Sequence, residues 1–99
     1  MNTEYKHGAL TSEIISSAME VHRALGNGFQ EVIYQRALAV EFERRSMLSA
    51  REIEMPVYYK GVDIGSRRVD FLVGGVVCVE LKAIISLEDV HLAQALNYL

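Results

Sequence analysis

A single cysteine in 99 residues leaves no partner for an internal disulfide, so Cys78 points to a reducing compartment, the cytoplasm. The single proline, Pro56, sits in a strand-like run and confines that strand to a sheet edge or a bulge. No apolar run is long enough to cross a membrane, and the opening MNTEYKHGAL lacks the apolar stretch of a signal peptide. Repeats and low-complexity tracts are absent as well. The formal net charge of −3 gives no overall pull toward nucleic acid, so any polyanion binding must be local or assisted by a metal. No basic stripe or recognition helix stands out that would announce sequence specificity. What remains is 51% hydrophobic content, enough for one core and one domain.

The stretch that organises the chain is Arg68 to Ala83, RVDFLVGGVVCVELKA, which reads as two strands folded over Gly74-Gly75. Strand side chains alternate, so Cys78, Glu80 and Lys82 share one face while Val77, Val79, Leu81 and Ala83 share the other. On the first arm Arg68, Asp70 and Leu72 face one way, and Val69, Phe71 and Val73 the other. A two-residue loop pairs Asp70 with Val79 and parts it from Glu80. A three-residue loop, Val73-Gly74-Gly75 with a bulge at Gly75, pairs Asp70 with Cys78 and leaves Glu80 as a same-face diagonal neighbour, within reach of a shared cation.

Upstream, helical spacing predicts a first helix from Ser12 to Leu25, with Thr11 as N-cap, Leu10 and Ile15 as a hydrophobic staple and Gly26 as the stop. His22 reads as a boundary residue. A second helix is predicted from Phe29 to Arg45. At 100° per residue Glu31 falls between Leu38 and Phe42 in the apolar stripe. It is either a first-turn acid favoured by the helix dipole or a carboxylate aimed inward. Arg44, Arg45 and Arg51 suit a solvated helix end, with phosphate contact as the alternative. Glu52 to Tyr59 is the first strand, Lys60-Gly61 a turn, and the strands form a three-stranded antiparallel meander. Ser86-Leu87-Glu88-Asp89 fits a capping box that opens a third helix. One of its stripes, Leu92, Ala95, Leu96 and Leu99, is apolar. The other, Leu87, His91, Gln94 and Tyr98, is either a helix boundary or a face overlooking Glu80.

Carboxylates converging from Glu31, Asp70 and Glu80 make a hard oxygen site suited to Mg²⁺ or Mn²⁺ and not to zinc. Such an ion activates a phosphoryl group toward water, and Lys82 is placed to orient or deprotonate that water. This is the chemistry of a phosphodiester hydrolase. The bland alternative pairs Asp70 with Arg67 or Arg68, and Glu80 with Lys82, as surface ion pairs of little energetic weight.

Asp70 followed by Glu80-Leu81-Lys82 resembles the D…ExK core of the PD-(D/E)XK nuclease superfamily. Within that superfamily, Gly28-Phe29-Gln30-Glu31-Val32-Ile33-Tyr34 looks like the signature of the GxxExxY group, and Gln94 with Tyr98 resembles the Q-x-x-x-Y motif of exonuclease-like branches. The resemblance runs from Leu10 to Leu99 with its pieces in the family's order. It implies an α/β (α+β), restriction-endonuclease-like core of two N-terminal helices, a three-stranded antiparallel meander and a C-terminal helix. It also implies Glu31, Asp70 and Glu80 as Mg²⁺ (or Mn²⁺) ligands, Lys82 as the catalytic lysine, and Gln94 and Tyr98 as accessory residues. The implied partner is nucleic acid, DNA before RNA, with no membrane. The family's last strand has no counterpart, so the chain reads as C-terminally truncated, with an open edge beside the Glu80 strand for a partner or a second copy. The alternative function is a catalytically inactive nuclease-fold module that binds nucleic acid or protein.

Overall fold

A computed structural model describes residues 7–82 together with the backbone of residues 96–98. Two helices precede the sheet: α1 covers Gly8–Leu25 and α2 covers Glu31–Arg44. The strands are β1 (Ser49–Tyr59), β2 (Val62–Val73), β3 (Val77–Val79) and β4 (Leu96–Tyr98). All neighbours are antiparallel in the order β1-β2-β3-β4. Two helices followed by an antiparallel meander is the architecture that the sequence predicts.

The core forms where three periodicities meet. Ile14, Ala18 and Val21 recur along α1, and Tyr34, Leu38 and Phe42 recur four apart along α2, so each helix turns one apolar stripe inward. Phe71 and Val73 of β2 and Val77 and Val79 of β3 alternate onto the facing side of the sheet, and Leu81 joins them. The layers lock where the Phe42 and Phe71 rings meet edge to face, 5.3 Å between centroids. Arg45 ties the helices together, donating to Glu41 at 2.7 Å and reaching Glu13 at 3.3 Å. It is thus not the free terminal cation of the sequence reading.

Several boundaries move. α1 begins at Gly8, four residues before the expected start, and Thr11 is fully buried within it and not its N-cap. The cap position is His7, in a left-handed conformation. The earlier turn is kept because Leu10 packs on the β2-β3 turn: a Cβ on Gly74 would lie 2.8 Å from its Cδ2. β1 starts at Ser49 because Ser49, Ala50 and Arg51 pair with Val73, Leu72 and Phe71. It is an edge strand, as Pro56 requires.

The far end of the chain departs more. Leu96–Tyr98 is a strand beside β3, with Val77 opposite Tyr98 and Val79 opposite Leu96, and not the end of a helix. The edge expected to be open next to the Glu80 arm is therefore covered over Val77–Val79 by the chain's own backbone. The predicted third helix from Ser86, including its His91 and Gln94, lies outside the described residues. Among the described residues no helix is long and apolar enough to cross a membrane.

Candidate functional site

The β2-β3 connection decides which carboxylates meet. Val73 pairs with Val77, Leu72 with Cys78 and Phe71 with Val79, so the loop is Gly74-Gly75-Val76. Neither register drawn from the sequence is adopted. Both glycines are left-handed, at φ 62° and 74°, and Val76 donates back to the Val73 carbonyl at 3.2 Å. The extra residue thus falls after the glycines and not before them. The ladder ends at the Phe71-Val79 pair, with Asp70 the residue before Phe71 and Glu80 the residue after Val79.

Asp70, half-buried, and Glu80, exposed, line one cleft of about 330 Å³ together with Arg67, Arg68, Val69, Cys78 and Val79. Asp70 is fixed by the backbone: the Leu81 N–H donates to its Oδ2 at 2.7 Å. One carboxylate oxygen is thereby committed to tethering the chain beyond β3. Of the bland reading's pairs, Arg68 reaches Glu52 at 3.3 Å and not Asp70.

Two expected members stand apart. Lys82 does not occupy the strand position after Glu80, because β3 ends at Val79 and Leu81-Lys82 are helical. It is exposed beside Glu80 along the chain. Glu31 opens α2 and is exposed, outside the cleft lining and not aimed into the core. The buried stripe of α2 begins only at Tyr34, so the wheel position of Glu31 has no layer above it to enter. Among the described residues no three His, Cys, Asp or Glu side chains gather closely enough to hold a metal ion. Gln94 lies outside the described residues, and Tyr98 stands opposite Val77 in the sheet.

A family model described as the PD-(D/E)XK nuclease superfamily matches residues 8–99. The chain belongs to the PD-(D/E)XK nuclease superfamily. Comparison with curated proteins and with solved structures returns no match. PD-(D/E)XK nucleases generally use divalent metal ions, and membership supports a nuclease-type function in general terms.

In this PD-(D/E)XK nuclease-superfamily chain the donor set fits such an ion in one particular way. Mg²⁺ is commonly bound through one or two carboxylates, with waters and substrate phosphate completing its octahedron. Asp70 and Glu80, two hard oxygen donors, line the same cleft and would be the carboxylates to hold it. Arg67 and Arg68, named in the sequence reading only as ion-pair partners, emerge as cations at the cleft wall. Arg68 was findable, since it alternates onto the face of Asp70, but Arg67 falls on the other face by that rule. Tyr34 was legible as a motif letter and as a member of the α2 stripe, but its hydroxyl's task was not. Its hydroxyl donates to the Gly26 carbonyl and accepts from the Phe29 N–H, clamping the loop that leads into α2.

Proposed function

We propose that the chain is a metal-dependent nuclease-fold enzyme of the GxxExxY group that hydrolyses phosphodiester bonds in nucleic acid, DNA before RNA. The observation that carries this reading is the cleft itself, lined by Asp70 of β2, by Glu80 just past the end of β3 and by two arginines. Asp70 and Glu80 are the ligands of Mg²⁺ or Mn²⁺, and a bound ion supplies Lewis acidity at the scissile phosphate. Arg67 and Arg68 receive the phosphate oxygens, for which the planar guanidinium is well matched. Lys82 orients the attacking water, takes its proton as the new P–O bond forms, and offsets the charge gathered at phosphorus as the old P–O bond breaks. Gln94 and Tyr98 are accessory residues of the same site. Glu31 is the weakest member of the set, since its exposure outside the cleft separates it from the pair.

A calorimetric Mn²⁺ titration of the parent, Asp70→Asn and Glu31→Gln, with cleavage assays on single- and double-stranded DNA with and without chelator, tests the reading. The parent binds, and Asp70→Asn loses more than about 100-fold in affinity, beyond what outer partners of a metal site usually contribute. Glu31→Gln changes affinity by no more than severalfold, and a loss equal to that of Asp70→Asn would restore it as a full ligand. Lys82→Ala keeps Mn²⁺ and loses about 10²–10⁴-fold in cleavage. Parent protein that binds no Mn²⁺ overturns the site.

One specific observation favours a second reading. β3 ends at Val79 and Leu81-Lys82 are helical, which takes the lysine off the strand position expected of it. A fold that binds nucleic acid or a protein partner without cutting has that arrangement available. Mn²⁺ binding without cleavage on any substrate would select it.

A further inference from the structure

β1 carries a conformation that its ladder does not require. Glu52 is left-handed, at φ 54°. The other described residues that hold a side chain in that region, His7, Ser46 and Lys60, stand at a helix cap, just past a helix end and in a turn. Glu52 instead lies inside an 11-residue strand. No inserted residue accounts for it: Arg51 pairs with Phe71 and Ile53 with Val69 in one continuous register, with Glu52 and Asp70 between the same two pairs. A left-handed glutamate strains the backbone, and such strain persists where a contact depends on it.

The contact is with Arg68, which shares a sheet face with Asp70 by alternation. Arg68 has Glu54 directly opposite it, yet its guanidinium donates to Glu52 at 3.3 Å, while Glu54 accepts from the Ser66 hydroxyl at 2.9 Å. The guanidinium is thereby drawn one same-face step, about 7 Å, from its own level toward that of Asp70. Both side chains are more than half exposed, 60% and 52%, and a pair of that kind adds too little stability to offset the strain. What it does fix is a direction. Arg68 ends the exposed half of β2, an arm from Val62 onward that lies beyond the helices, and burial begins only at Val69. A long side chain there has rotamer freedom to lose before it can serve the cleft that it lines with Asp70 and Glu80. Glu52 takes one terminal nitrogen of the fork and leaves the other N–H donors for an anion.

We propose that Glu52 is a positioning residue of the cleft: it holds Arg68 at the level of Asp70, so that the guanidinium meets a substrate phosphate already ordered. The assignment rests on the nuclease reading for the identity of that substrate. It also runs against simple charge. Removing an acid beside the path of a polyanion tightens binding by Coulomb's law, whereas removing an acid that orders the receiving arginine loosens it.

The test is steady-state cleavage of a labelled DNA 20-mer, single- and double-stranded, at saturating Mn²⁺, with anisotropy on the same oligonucleotides in chelator. Glu52→Ala raises KM by about 2- to 5-fold, the scale of an exposed pair, and leaves kcat within about twofold of the parent. Glu52→Gln keeps an acceptor and recovers most of the loss. Glu52→Gly, at ease in the left-handed region, separates side chain from strain: it shows the Ala effect on KM without a fall in Tm. Arg68→Ala alone weakens KM by about 10- to 150-fold, and in that background Glu52→Ala changes nothing further. Mn²⁺ affinity in the Glu52 variants is that of the parent. A lower KM in Glu52→Ala, or an equal loss with and without Arg68, overturns the proposal. Loss of Mn²⁺ from Glu52→Ala overturns it too, since the residue would then be a ligand. The two readings fail separately: a parent without Mn²⁺ affinity or cleavage, whose binding in chelator weakens in Glu52→Ala only when Arg68 is present, removes the nuclease and keeps the pair. Normal Mn²⁺ binding and cleavage that ignore Glu52 do the reverse. A parent that neither cleaves nor binds the oligonucleotides overturns both.

Discussion

β2 is one strand with two different lives. From Val69 to Val73 its inward side chains are buried against α1 and α2, whereas from Val62 to Arg68 the ladder with β1 continues while every β2 residue is exposed. Both halves pair antiparallel with β1, so pairing alone does not decide where the core is. A hairpin needs a layer over one face to gain hydrophobic stabilisation, and the helices provide it only over the second half. Asp70 sits one residue inside the boundary, where a carboxylate is held by packed neighbours yet still reaches solvent. The fold thus places its chemistry where rigidity ends and access begins.

That contrast breaks most visibly at Phe71. Its ring is fully buried and meets Phe42, so Phe71→Ala costs about 3–5 kcal/mol, a large share of the stability of a domain this size. Ile64→Ala, seven residues earlier on the same strand at a site 62% exposed, costs within about 0.5 kcal/mol. Urea denaturation of the two variants measures the gap. Equal losses would mean that the arm is packed in solution.

At the boundary itself, Asp70 carries a structural duty as well as a chemical one. Asp70→Ala removes the acceptor of the Leu81 N–H and costs about 1.5–3 kcal/mol, the range for hydrogen bonds to charged groups. Asp70→Asn keeps an acceptor oxygen and recovers much of that stability while still losing the metal. A melting temperature equal in the two variants would show that the Leu81 contact contributes nothing. Glu80→Gln, with no such contact, lowers metal affinity with little change in melting temperature.

Much of this was legible in the chain and some was not, for physical reasons. The core stripes of both helices follow from spacing alone, and Pro56 fixed β1 at an edge. Alternation placed Val77, Val79 and Leu81 on one face, and all three join the core. The hairpin register was missed by the position of one loop residue, since a Gly-Gly pair permits the extra residue on either side and only the packing of Leu10 on Gly74 and the Leu48 carbonyl accepting from the Gly74 N–H at 2.7 Å tie the turn down. Glu31 misled because a helical wheel assigns direction without saying how far the covering layer extends. Leu96–Tyr98 misled because a short apolar segment suits helix and strand equally, and the free edge of β3 makes the choice.

The smallest effect sharpens the comparison from the helix side. Tyr34 is buried on the core stripe of α2, yet its hydroxyl serves the exposed loop before that helix, donating to Gly26 and accepting from Phe29, while its ring stacks 5.9 Å from His22. Tyr34→Phe keeps the ring and the packing and removes only the clamp, and water can replace it because Gly26 and Phe29 are exposed. The expected cost is about 1 kcal/mol, a fall of about 4–8 °C in Tm for a domain of this size. Hydrogen exchange at the Phe29 and Glu31 amides rises in this variant while exchange in β2 and β3 does not. If the strand amides accelerate equally, the clamp is part of the global fold and not of the entry to α2. Glu31 would then be positioned by the whole core and not by its own loop.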